Sequence, residues 1–320
     1  MSDQDQSPAD NPLITFALIS YNQEAFIRQA IEGAFAQTYS PLEILLSDDR
    51  STDSTYDIMQ EMAQSYTGPH TIRLNQNNVN LGIGGHVARI SALAKGEWII
   101  MAAGDDVSLP ERAQAVADTY QRAPDTRAVF SDYAVISETS DILRPHVVHW
   151  PQKRKADLVD LCVRCGGFGT GSSFAYHKDV FMWPWTYPAH LKNEDRVLPL
   201  RAALLGKIEH VPKVHVRYRH VETSASRSEH WFLLSPENNS VHIRNHQKTI
   251  IAAAREKKIP QRAIRPLEAV RHLNRITFVK LHEQRNSRRT YRASLKVKLL
   301  GARLKSKSLQ VYCRNLLCRI

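Results

Sequence analysis

No stretch of this chain approaches the roughly 18–20 consecutive apolar residues that a spanning helix needs, so no membrane span is predicted. The first residues, "MSDQDQSPADNP", have neither a basic n-region nor an apolar h-region, which predicts no secretory signal and a cytoplasmic protein. Cysteine is scarce. Cys162 and Cys165 are spaced CxxC, but the other two, Cys313 and Cys318, lie far away, so no second close pair completes a zinc site. The four thiols suit a reducing compartment. Internal repeats and long low-complexity linkers are absent, which excludes solenoid and propeller architectures.

What is present is a globular composition, 42% hydrophobic over 320 residues, with an uneven charge. From Val241 to Ile320 there are 21 Lys and Arg against three acids, a net of +18, while the preceding 240 residues carry a net of −7. A mildly acidic body with a basic tail points to an anionic partner for the tail.

Strand and helix signals alternate in the first half. "LITFALIS" (13–20), "LEILLS" (42–47), "TIRLN" (71–75), "EWIIMAA" (97–103) and "RAVFSDYAVIS" (127–137) are short apolar or alternating runs. Between the first two, Ile27, Ala30, Ile31, Ala34 and Phe35 recur at i, i+3, i+4, i+7, i+8, one face of a helix. Ser51, Thr52 or Asp53 can cap the next helix, whose apolar side is Ile58, Met59, Met62 and Ala63. This alternation predicts a doubly wound, mostly parallel α/β sheet. Further on, "GGFGTGSSFAY" reads as a turn into a strand, "NEDRVLPLRAALLG" as a helix and "KIEHVPKVHVRYRH" as one or two strands.

In such sheets ligands bind beyond the carboxyl ends of the strands. Ser20-Tyr21-Asn22, Asp48-Asp49 and Asp105-Asp106 all fall at such ends, and Gly104 breaks the strand before the last pair. Asn80, Gly82, Gly84 and Gly85 form a strand-to-helix turn, where glycine permits a sharp bend or a close ligand. No Gly-Lys-Ser/Thr follows, so it is not a P-loop. Two adjacent carboxylates repel each other, and a bound divalent cation would relieve that repulsion.

The segments "LISYNQEAFIRQAIEGAFAQTYSPLEILLSDDRSTDST", "NVNLGIGGHVARISALAKGEWIIMAAGDDVSLPER" and "NEDRVLPLRAALLG" resemble, in order, the motif blocks of the family 2 glycosyltransferases of the GT-A fold. The resemblance spans about Pro12 to His220. It implies a Rossmann-like fold, a nucleotide-diphosphate sugar donor (a UDP-sugar favoured), Mn²⁺ or Mg²⁺, and transfer with inversion to a hydroxyl of a glycan or lipid-linked acceptor. It implies that Tyr21 stacks on the nucleobase and Asp49 accepts its N–H, with Asn22 and Asp48 in support and Asn80 and Gly82 lining the donor. Asp105 and Asp106 become the metal and donor carboxylates, and Asp195 the general base, oriented by Glu194. Many members carry a further Asp where this chain has Ala103, so the direct metal ligand stays open between Asp105 and Asp106, with Asp106 preferred. Arg50 stands where glycine is usual. Trp183 and Trp185 offer flat faces to an acceptor sugar, and Arg219 and His220 are basic candidates near it, plain exposed strand charges being the alternative.

These readings divide the chain into a disordered segment (1–11), a GT-A domain (12–225, with its nucleotide-sugar half at 12–140 and acceptor half at 141–225) and a basic helical region (226–320). In the last, Leu295, Leu299, Ala302, Ser306, Leu309, Cys313, Leu316 and Ile320 make a 4,3,4,3 stripe flanked by lysines, the pattern of a helix lying on an anionic membrane surface. Residues 290–320 thus predict peripheral attachment at the inner face of the plasma membrane; packing on another protein surface is the alternative. No helix-turn-helix, finger or RNP signature is present, which argues against specific nucleic-acid binding. The competing functional reading is a catalytically inactive nucleotide-sugar or carbohydrate binder of the same fold, suggested by Ala103.

Overall fold

The structure is a computed structural model that describes residues 11–148, 170–182 and 194–221. The described residues fall in two units: 11–148, 170–182, Glu194 and 206–221 form one, and the second contains, of these, only Asp195–Leu205.

The first unit is built on a sheet of strands β1 (Ile14–Ser20), β2 (Leu42–Asp48), β3 (Thr71–Gln76), β4 (Trp98–Ala103), β5 (Val107–Ser108), β6 (Thr126–Ile136), β7 (Ile142–Val147), β8 (Phe174–His177) and β9 (Lys207–Arg219). Their order is β3-β2-β1-β4-β8-β6-β9-β5, with β7 on the free part of β6. Helices α1 (Ile27–Phe35), α2 (Thr55–Ser65), α3 (Gly82–Leu93) and α4 (Arg112–Arg122) connect the strands, and a short α5 (Asp179–Met182) follows β8.

β1 and β2 are buried along nearly their whole length, as strands covered on both faces must be. The predicted stripe of α1 meets them: Ile27, Ala30, Ile31 and Ala34 pack with Phe16, Leu18, Ile44, Leu46, Ile100 and Val116 in one core. Fully burying such side chains contributes about 1.5–3 kcal/mol each before entropy is charged. Asp53, not Ser51, satisfies the start of α2, its Oδ1 accepting the Thr55 N–H at 3.0 Å.

The parallel arrangement holds through β3-β2-β1-β4 and again between β6 and β9. It is interrupted by β8, which runs antiparallel between β4 and β6. "KIEHVPKVHVRYR" is one long strand, bent where its register with β6 shifts around Asp132. The two-residue β5 and the hairpin strand β7 carry too little periodicity to be read from sequence. No described helix is long and apolar enough to cross a membrane.

In the second unit, α6 (Glu194–Leu205, its first residue belonging to the first unit) confirms the helix expected from "NEDRVLPLRAALL" and accommodates Pro199 within it. Trp183, Trp185 and the basic region from residue 222 onward lie outside the described residues.

A small cavity of about 10 Å³, water-sized, is lined by Arg112, Ser131, Ser173, Val211 and His215. Burial, with help from Lys213 and Arg112 and against Glu111, lowers the His215 imidazole to about 4. An unfolded histidine titrates near 6.5, so the unfolded chain binds the extra proton between these values and stability falls as pH drops through that window. His215→Phe is expected to flatten the loss of urea midpoint between pH 7 and pH 4.5. An unchanged pH profile would show that His215 is not the acid-sensitive group.

Candidate donor-binding site

The register places the polar clusters on one sheet edge. Ser20 is opposite Asp48, Asp48 opposite Gln76, and Ile19 opposite Ala103. Sequence reading had them at strand ends; pairing brings those ends level.

At the end of β1, Asn22 takes φ 52°, a left-handed conformation that a short polar side chain tolerates. Its Oδ1 accepts the Thr52 N–H at 2.8 Å, and its own N–H donates to Ser51 Oγ at 2.9 Å. Asn22 therefore laces the two exit loops together. Beside it, the Tyr21 ring is 46% exposed, open for stacking.

At the end of β2, Asp48 is fully buried. Its Oδ2 accepts the Ser51 N–H at 2.9 Å and Gln76 Nε2 at 3.1 Å, and the Ser51 hydroxyl donates to Oδ1. Asp48 shapes the loop, while Asp49 stands next to it. Asp49 Oδ1 accepts from Asn77 Nδ2 at 2.8 Å and from the Leu81 N–H at 2.9 Å. Asn80 Oδ1 accepts the Gly82 N–H at 2.9 Å, and Gly82 needs its φ of +67° to turn into α3. Arg50 is exposed at φ 65°, with Nη1 3.5 Å from Gln76 Oε1.

Sequence reading missed the layer behind these groups. His86 Nε2 lies 2.7 Å from Ser47 Oγ, and Asn75 Nδ2 donates to the same oxygen at 2.9 Å. Burial lowers the His86 pKa, opposed by the charges of Asp49 and Asp48. The signal was the amide run "NQNN" (75–78) across the end of β3.

At the end of β4, the Gly104 N–H donates to Ile19 O at 2.9 Å. A Cβ on Gly104 would come 2.4 Å from Gln23 Oε1 and 2.7 Å from Ser20 Cβ. The glutamine can swing away but the Ser20 Cβ cannot. Gly104→Ala is therefore expected to cost about 1–3 kcal/mol in denaturant unfolding, and an unshifted midpoint would show that the turn yields freely.

Asp105 is half-buried and Asp106 buried. Asp106 Oδ1 accepts the Arg219 N–H at 2.8 Å, whereas its buried Oδ2 makes no hydrogen bond of good geometry among the described residues. Burial, then the Asp105 charge, pushes Asp106 up to about 8, against the pull of the Ser172 hydroxyl, the Arg219 amide and the Arg112 cation. Asp105 is also raised, by burial, against its backbone contact, Arg219 and Gln23. Arg112, equally unanticipated, is buried with Nη1 on Ser108 Oγ (2.9 Å) and Nη2 on Met101 O (2.7 Å) and Phe174 O (3.2 Å). Burial lowers it to about 9, so it stays cationic at neutral pH beside Asp106.

Two carboxylates, one with a buried oxygen lacking a bond, supply the hard donors that Mg²⁺ or Mn²⁺ prefers. Among the described residues no group of three His, Cys, Asp or Glu is placed to hold a metal ion. The carboxylate pair by itself offers the hard oxygen donors such a cation takes.

The other expected residues lie on later elements. Glu194 opens α6, and Asp195, its second residue, belongs to the second unit. His220 is exposed, its N–H donating to Ile136 O at 2.8 Å. Arg219 corrects the expectation of an acceptor-facing or solvent-facing charge: it is 1% exposed, and all three guanidinium nitrogens are bonded inside the protein. A guanidinium enclosed in this way cannot reach an acceptor.

The family model for glycosyl transferase family 2 matches residues 15–182, from β1 through the aspartate pair to α5. The chain belongs to glycosyl transferase family 2. An uncharacterized protein of Mycobacterium tuberculosis is 30% identical over 208 residues, 63% of this chain and 57% of that protein, so the family 2 chain spans little more than half the length of such relatives. The UDP-Glc:alpha-D-GlcNAc-diphosphoundecaprenol beta-1,3-glucosyltransferase of Escherichia coli is 33% identical over 94 residues, 29% of this chain and 36% of that one. Among solved structures, S. aureus TarS in complex with UDP-GlcNAc superposes with TM-score 0.55 at 17% identity, covering 76% of this chain and 70% of that one. The mannosyltransferase PcManGT from Pyrobaculum calidifontis, in complex with GDP-Man and Mn2+, gives TM-score 0.56 at 16% identity over 98% and 88% of the chains. These likenesses establish the GT-A fold.

Proposed function

We propose that this family 2 chain is a metal-dependent inverting glycosyltransferase that moves a sugar from a UDP-sugar to a hydroxyl of a glycan or lipid-linked acceptor in surface-polysaccharide assembly. The observation that carries the reading is the level register of the strand ends, Ser20 opposite Asp48 and Ile19 opposite Ala103, which are followed in the chain by Tyr21, Asp49 and the Asp105–Asp106 pair. Tyr21 stacks on the uracil, and Asp49 accepts its N–H. Asn22 and Asp48 hold the loops that present them, and the Asn80–Gly82 turn lines the donor. Asp105 and Asp106 would hold Mn²⁺ or Mg²⁺, which supplies charge stabilisation to the departing diphosphate. Asp195 takes the proton of the acceptor hydroxyl as its oxygen attacks the anomeric carbon from the face opposite the leaving nucleotide, and Glu194 orients that base. The Escherichia coli relative's name, with its UDP-Glc donor and diphosphoundecaprenol acceptor, supports the donor base and the lipid-linked acceptor.

Calorimetric titration with UDP, GDP and dTDP, each with and without Mn²⁺, tests the donor site. Tight binding of UDP that requires the metal is expected. Preference for GDP or dTDP would reassign the base, and failure of all three would leave the inactive binder as the better reading. The basic stripe at 290–320 supports attachment to anionic lipid at the inner membrane face, worth ~1 kcal/mol per Lys or Arg near the surface. Flotation with phosphatidylglycerol vesicles should fall when Lys296, Lys298, Lys305 and Lys307 are changed to Glu; equal flotation would make the stripe a protein-packing face.

A further inference from the structure

Arg219 ends β9, in register with Ile136 at the end of β6. From there its side chain gathers segments far apart in the chain. Nε donates to the Asp105 carbonyl at 2.8 Å; Nη1 reaches the Ser137 and Glu138 carbonyls at 3.0 and 2.8 Å and Ser140 Oγ at 3.0 Å; Nη2 meets Gln29 Oε1 at 2.6 Å. The guanidinium carbon stands 4.9 Å over the Phe26 ring. The backbone N–H of the same residue holds Asp106 Oδ1 at 2.8 Å.

Among the described residues, the guanidinium hydrogen bonds go to neutral carbonyl, amide and hydroxyl oxygens. The charges of Asp106, Asp105 and Glu138 act on it from nearby. It holds the peptide between the two aspartates through the Asp105 carbonyl, while its amide holds the Asp106 carboxylate. Fixing one oxygen of Asp106 leaves the other, Oδ2, with its direction set and no bond of its own.

We propose that Arg219 is a positioning residue for the donor site: it orients the Asp105–Asp106 turn so that Asp106 Oδ2 is presented to the metal–diphosphate. This rests on the donor-site reading above. Lysine cannot substitute, because one ammonium cannot reach five oxygens spread over three segments.

The test compares two probes on the full-length protein, UDP with Mn²⁺ by calorimetry and uridine without metal by saturation-transfer NMR. Uridine reports Tyr21 and Asp49 alone; UDP with Mn²⁺ also needs the aspartate turn. Arg219→Lys is expected to weaken UDP–Mn²⁺ binding at least tenfold, and Gln29→Leu, which removes the oxygen shared by Nη2 and the Ser140 hydroxyl and leaves the other guanidinium contacts, about threefold. Uridine affinity should stay within twofold of wild type in both. Should Arg219→Lys fail to fold in a thermal melt, Gln29→Leu and Ser140→Ala carry the comparison. Equal losses for uridine and UDP–Mn²⁺ would make Arg219 a general brace and overturn the proposal, as would unchanged UDP–Mn²⁺ binding in the variants. Wild-type protein that binds neither probe would instead overturn the donor-site reading, and the positioning role with it.

Discussion

Asp106→Asn is expected to fold at least as stably as the wild type and to lose metal-dependent nucleotide binding by a hundredfold or more, about 2.7 kcal/mol. Both halves follow from the same geometry. The wild-type carboxylate is buried, lies next to Asp105 and is pushed up to about 8, so the folded protein resists its charge. An amide keeps the oxygen that accepts the Arg219 N–H and offers an NH₂ where Oδ2 had no bond of good geometry. Neutrality thus removes the cost of a buried charge. It also removes the anionic oxygen that a divalent cation requires. A structural carboxylate would behave the other way, losing stability on substitution. Thermal melts beside calorimetry with UDP and Mn²⁺ separate the cases. An Asp106→Asn protein that binds UDP–Mn²⁺ like the wild type would remove Asp106 from the site and leave Asp105 as the ligand.

The features legible in the sequence were those written in local pattern. The α1 stripe, the buried β1 and β2 and the polar residues at strand ends each declare themselves within a dozen residues, and parallel register then aligns the ends without further information. What escaped depends on long-range closure. Arg219 lies 114 residues from the Asp105 carbonyl it holds, and within "VRYRH" nothing separates a buried guanidinium from an exposed one. Arg112 in "SLPER" has the look of a solvent-facing first-turn residue, and only the approach of β8 encloses it through the Phe174 carbonyl. The antiparallel insertion of β8 is itself invisible locally, because four residues, "FAYH", carry no sign of direction. Asp48 and Asp49 are adjacent, chemically identical and both buried, yet Asp48 holds the Ser51 loop and Gln76 while Asp49 holds Asn77 and the Leu81 amide, a division that no local pattern declares.

Asp195→Asn separates binding from chemistry. The variant is expected to bind UDP with Mn²⁺ as tightly as the wild type while transfer falls 10²- to 10⁴-fold, the usual contribution of a general base. Glu194→Gln, at the neighbouring position on α6, should lower transfer by tenfold or less, since the amide keeps the shape of the side chain and takes no proton in the reaction itself. The plain alternative is that both acids only favour the positive end of the α6 dipole, an effect of about 0.3–1 kcal/mol on helix stability that is the same for either residue. Under that alternative the two substitutions would shift the melting temperature slightly and equally, and leave turnover alone. Unequal losses of turnover with equal affinities assign the proton transfer to Asp195; matched small shifts would place the base elsewhere and keep the inactive-binder reading alive for this family 2 chain. The comparison is informative because the proposed reading draws donor binding from Tyr21, Asp49 and Asp106 of the first unit and assigns Glu194 and Asp195 to the transfer step alone.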